Sequence, residues 1–303
     1  MRRFLALGAL AAAVVAAVFV GRADAIIGGT PDGNAHKGVG YVVFYDSTFT
    51  PLWRCTGSLV STRVVLTAGH CAGTYDNSTG VHTPVLAQVW FDKDIKSQGN
   101  YGGGSCLGVK GWPCSGGDSF GIPRPIDTYV GSTADGTSHD LGVVALLNAQ
   151  NRNDVLPLAP LGTLAATAPN TQMTVVGYGL QGYAGPERQR MDGTVTFVRA
   201  EDGSQPDDEL YFADFTNDAP GAAACNGDSG GPVLDQQGRI VAVMALVDGA
   251  DDGACLGGAF HYRTDTPEAQ AFLARFGVQL GGSGGPGHGH DGRKHGHGFL
   301  RGF

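Results

Sequence analysis

The chain has 303 residues and a formal net charge of -8, and 50 of its residues are glycine. An acidic balance with no basic patch argues against a nucleic-acid partner. Charged residues at 16%, against a usual ~25%, and glycine at well over its usual ~7% describe a turn-rich chain with little exposed helix.

The chain opens Met1-Arg2-Arg3, runs apolar from Phe4 to Val20 and leaves that run through Ala23-Asp24-Ala25. A positive start, an apolar centre and a small-x-small exit mark a secretory signal peptide over residues 1–25, cut after Ala25. The product is therefore expected to be secreted. Arg2-Arg3-Phe4-Leu5 adds a weak twin-arginine hint. A membrane anchor fits less well because the small-residue exit follows at once. No other stretch is long and apolar enough to span a bilayer, so no stable membrane insertion is expected after cleavage.

Past the signal, short apolar β-branched segments alternate with turn clusters, at residues 41–44, 63–66, 141–147, 174–176, 193–198 and 240–247. Each is bounded by Gly, Pro, Asn or Asp, the pattern of an all-β sandwich or barrel. One helix is expected over 267–276, with Thr266 as N-cap, Pro267 at its first position and Gly277 just after it. A mature region of about 255 residues suits two lobes, and Leu156-Pro157-Leu158-Ala159-Pro160 is a candidate linker, dividing the chain into 26–156 and 157–280. The Gly-rich stretch 99–117 reads as an inserted surface loop. From 281 onward the chain is Gly-Ser-Gly-Gly-Pro and His-Gly repeats, a disordered tail. Its His288, His290, His295 and His297 make a weak transition-metal site at most.

Six cysteines in an exported chain suggest three disulfides. Pairing in sequence order is the expectation: Cys55 with Cys71, Cys106 with Cys114, Cys225 with Cys255. A metal site is not expected, because no Cys-x-x-Cys spacing is present. Asn77-Ser78-Thr79 is a glycosylation acceptor pattern, meaningful only in a glycosylating host.

The densest chemical signal is Cys225-Asn226-Gly227-Asp228-Ser229-Gly230-Gly231-Pro232. Glycines around a serine let the backbone approach a substrate carbonyl and reach φ angles closed to other residues. The amides of Gly227 and Ser229 are then placed to point together at a developing oxyanion. A serine hydroxyl is a weak nucleophile near neutral pH. It needs an imidazole base, and the base needs a carboxylate to fix its tautomer. His70 is the candidate base: a strand delivers it in Leu66-Thr67-Ala68-Gly69-His70-Cys71, and Cys71 braces it. His36, His82, His139 and His261 lack such bracing and read as ordinary surface or partly buried histidines. Asp140 precedes the apolar run Leu141-Gly142-Val143-Val144, and a carboxylate at the mouth of a buried strand is costly unless paired. Asp127 and Asp135, among turn residues, are weaker candidates.

These motifs, with Ile26-Ile27-Gly28-Gly29 and Val176-Gly177-Tyr178-Gly179, resemble the trypsin/chymotrypsin family of secreted serine endopeptidases, in the family's order and over most of residues 26–280. The resemblance implies an all-β fold of two perpendicular six-stranded β-barrels (chymotrypsin-like) with a C-terminal helix. It implies a triad in the cleft, with His70 as general base, Asp140 orienting it and Ser229 as nucleophile, and an oxyanion hole from the amides of Gly227 and Ser229. It also implies that a freed Ile26 α-amino group pairs with Asp228; because the expected cut after Ala25 exposes Ile26 directly, export itself is expected to activate the enzyme.

Further expectations follow from positions aligned with the family. Ala223 stands where trypsin-type members carry the aspartate of the primary pocket, and Ala224 follows it, so Arg and Lys are not the expected substrates. Ala245, Leu246 and Val247 would form one pocket wall and Phe260 the other, a shallow apolar site for small or aliphatic side chains with loose selectivity. Asp248, Asp251 and Asp252 read as a solvated acidic loop. Ala245 replaces a serine that normally supports the catalytic aspartate, which implies reduced or retuned activity. The expected partners are polypeptide substrates, with no nucleic acid, no cofactor and no metal, and the expected state is a monomer. A catalytically silent binding module is the alternative. An α/β-hydrolase esterase is disfavoured, because its order is Ser, Asp, His and this chain runs His70, Asp140, Ser229.

Overall fold

The computed structural model describes residues 26–281 apart from 78–79, 96–104, 107–108, 111–116, 132–138, 180–188, 202–210, 218–221, 248–254 and 256. The signal segment, the Cys106–Cys114 pair, the acceptor motif at Asn77, Asp135, the acidic loop at 248–252 and the tail beyond Gly281 lie outside what is described.

Twelve strands build two closed barrels. The first holds β1 (Val39–Tyr45), β2 (Pro51–Ser61), β3 (Val64–Thr67), β4 (Leu86–Trp90), β5 (Ser119–Pro125) and β6 (Gly142–Leu146). They run in the order β5-β6-β3-β2-β1-β4, and β4 pairs back onto β5. The second holds β7 (Gln172–Gly177), β8 (Met191–Ala200), β9 (Phe212–Asn217), β10 (Pro232–Leu234), β11 (Ile240–Val247) and β12 (Gly257–Arg263). Their order is β8-β7-β10-β11-β12-β9, closed by β9 on β8. All these pairings are antiparallel. Closure leaves no unpaired edge within either barrel.

The expected segments fall on β1, β3, β6, β7, β8 and β11. The other six strands carried weaker signals. β5 contains Gly121, Pro123 and Pro125, which read as loop, and β2 places Cys55, Thr56, Gly57 and Ser58 where alternation would need apolar residues. Tertiary pairing overrides local propensity there. β1 shows the opposite limit: all of Val-Gly-Tyr-Val-Val-Phe-Tyr is buried, with no polar face. The reason is that the first barrel's core runs on into Val176, Tyr178 and Tyr262 of the second barrel and into Phe272 and Leu273 of the terminal helix. Tyr41 makes edge contacts with Trp90 of its own barrel and with Tyr178 across that junction. A separate core of Val175, Val195, Phe197, Phe215 and Met244 fills the second barrel, and Ile26 belongs to it.

Two short helices matter to the site. α1 (Gly69–Ala72) is a single turn at the end of β3 and carries His70. α2 (Pro267–Ala274) starts as expected: Thr266 caps it by accepting from the Ala269 amide, with Pro267 in the first turn. Gly277, at φ +72°, ends the segment in a conformation that favours glycine. α2 reaches over to the first barrel, where its Glu268 accepts from Thr128 and pairs with His139. Among the described residues no helix is long and apolar enough to cross a membrane.

Candidate active site

β3 ends in Leu66-Thr67, and the chain turns at once into α1, which sets His70 facing the mouth of β6. Asp140 sits there, 5% exposed. One carboxylate oxygen accepts from the His70 backbone N–H at 2.7 Å and the other meets His70 Nδ1 at 2.8 Å. The first bond fixes where the residue stands and the second fixes how its ring turns. With Nδ1 donating to the carboxylate, Nε2 is left as the basic nitrogen. Burial pulls the imidazole pKa down, but the charge of Asp140 and its hydrogen bond outweigh that, and the net shift is upward. The Cys55–Cys71 disulfide closes the loop behind His70 as expected. Among the described residues, Asp140 takes its hydrogen bonds from His70 alone. Ala245 lies at a bulge between Met244 and Leu246, with its amide toward His261 Nδ1 at 3.4 Å.

The turn carrying Ser229 is held against the first barrel by Thr56 of β2. The Thr56 amide donates to the Ser229 carbonyl at 2.8 Å, and its hydroxyl donates to the Gly227 carbonyl at 2.9 Å. Cys71 Sγ lies 3.8 Å from the Ser229 carbonyl oxygen, which sets the nucleophile turn beside the His70 disulfide. Gly227 takes φ +97°, closed to most side chains, as a serine elbow of this kind requires. Gly230 N donates to Met244 O and Gly231 N to Asp228 O, yet among the described residues no hydrogen bond takes the N–H of Gly227 or Ser229. Amides of this kind, one on the serine itself and one two residues before it, are the type of donor a developing negative charge requires.

Asp228, between them, is completely buried. Its oxygens accept from Gly179 N at 2.8 Å and Cys225 N at 2.9 Å, and the amide of Ile26 also donates to it. Desolvation dominates these three neutral donors and pushes the carboxyl up to about 7. The Gly-x-Gly around Tyr178 is explained by the same carboxylate: a Cβ on Gly177 would stand 2.0 Å from Asp228 Oδ1, and one on Gly179 2.4 Å from Oδ2. Ile26 is buried against Gly193 and holds φ +53°, a strained angle for a β-branched residue. Ile27 exchanges both backbone hydrogen bonds with Ala223. The Cys225–Cys255 disulfide ties this region, also as expected.

Of the expected pocket residues, Ala223 and Ala224 are buried next to the nucleophile turn, and Leu246 and Val247 end β11. Phe260 pairs with Leu246, whereas the residue across from Val247 is Ala259. His36, His139 and His261 have other occupations. His36 pairs with Asp32, which also binds the buried Arg190; His139 pairs with Glu268; His261 is enclosed in the second barrel against Phe215, where burial pulls it down to about 4. Asp127 pairs with Arg275 at the surface. Among the described residues, the one group close enough to share a metal ion is Cys55, His70 and Cys71, and its sulfurs are bonded to each other, so it offers no thiolate. Thr56 was not legible as a site residue; its only signal was its place next to Cys55. The Gly177–Gly179 cradle was visible as a motif but not as a carboxylate socket.

A family profile described as a trypsin-like peptidase domain matches residues 55–243. Scolexin B of Heliothis virescens is 27% identical over 221 residues, covering 68% of this chain and 68% of that protein. Kallikrein-12 of Homo sapiens is 29% identical over 187 residues, covering 60% of this chain and 64% of its own length. Among solved structures, HL collagenase aligns with TM-score 0.60 at 16% identity, over 84% of this chain and all of that one. Human heparin binding protein aligns with TM-score 0.57 at 17% identity, over 86% of this chain and all of that one. At such identities these structures speak for the fold.

Proposed function

The chain belongs to the trypsin-like peptidase family, and on that premise we propose that it is a secreted serine endopeptidase working through an acyl-enzyme. His70 Nε2 takes the Ser229 proton as the hydroxyl attacks the scissile carbonyl. Asp140 holds the ring and stabilises the imidazolium that forms. The Gly227 and Ser229 amides receive the oxyanion, and His70 returns the proton to the leaving amine. Water then repeats the sequence on the ester. The observation that carries this reading is the doubly bonded His70–Asp140 pair beside a serine turn two of whose amides take no partner among the described residues.

Processing completes the site in this reading. Cutting after Ala25 turns the Ile26 amide into an ammonium, giving the buried Asp228 a cation in place of a neutral donor. The strained φ of Ile26 disappears with the peptide bond that defines it. Residues 26–156 and 157–280 act as the two lobes, with the substrate across their junction. The primary pocket, floored by Ala223 and Ala224 and walled by Val247 with Ala259 opposite, suits small or aliphatic side chains.

The test uses the chain beginning at Ile26, with Ser229→Ala as blank. A serine-directed phosphonate is expected to label Ser229, and a peptide library is expected to be cut after small or aliphatic residues. Absence of an adduct would favour a silent binding module. Dominant cleavage after Arg or Lys would overturn the pocket. N-terminal sequencing of the exported protein that found a start before Ile26 would overturn activation by the signal cut.

A further inference from the structure

We infer that the side-chain hydroxyl of Thr56 is a positioning device for the oxyanion hole, acting on the Gly227 peptide from the opposite barrel; the inference rests on the endopeptidase reading and deepens it. The donor order at this hydroxyl is settled by its partners. The Tyr178 amide, 3.1 Å away, can only donate, so Thr56 Oγ1 accepts there, and its own proton points to the Gly227 carbonyl at 2.9 Å. Both hydroxyl roles are filled, and Thr56 is completely buried, so water does not compete for either.

What this anchoring controls follows from the order of peptide planes along the turn. The two donors proposed for the oxyanion belong to the 226–227 and 228–229 peptides. The carbonyls that Thr56 holds belong to the 227–228 peptide, through its hydroxyl, and the 229–230 peptide, through its amide. Donor planes and anchored planes alternate, so fixing one set orients the other. The 227–228 plane most needs an anchor, because Gly227 sits at φ +97° with no Cβ to restrict rotation. Thr56 is in turn fixed on its far side, where its carbonyl accepts from Thr67 Oγ1 at 2.9 Å. Gly230 packs so closely on the same carbonyl that a Cβ there would stand 2.3 Å from it. One residue of β2 thus spans the cleft between the strand that leads to His70 and the turn that carries Ser229.

The hydroxyl is the part to test, since any residue supplies the backbone amide. In the chain beginning at Ile26, Thr56→Val keeps the shape and removes the hydroxyl. Thr56→Ala removes it without adding a methyl, should the valine variant fold poorly. Thr56→Ser restores it. We expect kcat to fall by about tenfold to a hundredfold in the Val and Ala variants, the cost of a misaligned site. KM should stay within about twofold, as for an interaction made in the transition state. Phosphonate labelling of Ser229 should slow in parallel and the Ser variant should recover. Crystal structures of the Val and Ala variants should show the Gly227 carbonyl turned from its place. Unchanged kcat, a Ser variant as slow as the Val variant, or a Gly227 carbonyl that stays put would each overturn the inference. If the wild-type protein is never labelled at Ser229, the endopeptidase reading fails instead, and the crystal structures still decide whether the hydroxyl holds the Gly227 peptide.

Discussion

The mouth of the first barrel and the nucleophile turn of the second each bury an aspartate, and they satisfy it by opposite means. Asp140 faces an imidazole that can carry a positive charge, and both of its described hydrogen bonds come from that one residue. Asp228 is enclosed by neutral amides from three separate segments, and burial pushes it to about 7. A buried carboxylate is tolerated when a cation or several donors compensate its lost hydration. The first barrel provides, within the folded body, an imidazole donor that can become a cation. For the second, the proposed cation comes from the chain terminus, so its ionisation would follow processing. In the proposed reading one carboxylate is thereby a working part of the site and the other a sensor of how the chain begins.

The largest expected effect separates the two on the working side. Asp140→Asn keeps the shape but removes the charge that turns the ring. It should lower kcat by about four orders of magnitude, the size this change has in well-studied members of the family, measured against a stable fold by thermal melting. A loss of tenfold or less would mean that the His70 backbone bond, not the carboxylate charge, carries the pairing.

Next comes the sensing side. A chain that retains residues before Ile26 should be slower than the chain beginning at Ile26 by about 10²–10³-fold, the cost of an unformed oxyanion donor. In the uncut chain Asp228 keeps a proton in the folded state up to about 7, against an ordinary value of 3.8. The folded state binds the extra proton between those values. Stability should therefore be full below them, decline as pH rises through that window and level off above it, as read from melting temperatures. In the cut chain the ammonium moves the loss to higher pH. Its pKa, raised above an ordinary value of about 7.7–8.0, contributes stability that is complete below that range and lost as pH rises through the folded value. Activity should accordingly fall at alkaline pH. It should also fall in acid as His70 protonates, at a pH above its ordinary 6.5. Identical pH profiles for cut and uncut chains would erase the distinction between the two aspartates.

The disulfides make a smaller test, since each ties one side. Replacing Cys55 and Cys71 by serine opens a loop of 16 residues and should cost about 3 kcal/mol by loop entropy. Kinetically the damage should fall on the His70 side, leaving the labelling of an intact Ser229 turn slowed rather than abolished. The smallest effect is expected at α2, whose Glu268 holds His139, the residue before Asp140. Thr266→Ala removes the cap of α2 and should cost about 1 kcal/mol in denaturant titration, with little change in kcat because Glu268 still reaches Thr128 and His139.

Much of this site was legible before the fold. His70, Asp140 and Ser229 announce themselves locally, through a strand ending in a disulfide-braced histidine, a carboxylate at the mouth of an apolar run, and a serine between glycines. The helix cap at Thr266 and the stop at Gly277 are local too, and so were read directly. Half of the strands were less plain, because β5 and β2 form by pairing and closure rather than by propensity. Phe260 shows the same limit: its place across from Leu246 is set by a β-bulge at Ala245, and no sequence pattern records where a register slips.

By itself, then, the sequence determined the family and the candidate residues for its chemistry, because nucleophile, base and orienting carboxylate must be particular residue types and each leaves a short-range mark. Only the tertiary structure decided how they are held. Thr56 reaching Gly227 and Ser229, Gly177 and Gly179 making room for Asp228, and Ile26 filling the second core are contacts between residues about fifty or more positions apart. Their identities are set by distances of closest approach, and such distances exist only after both barrels have closed.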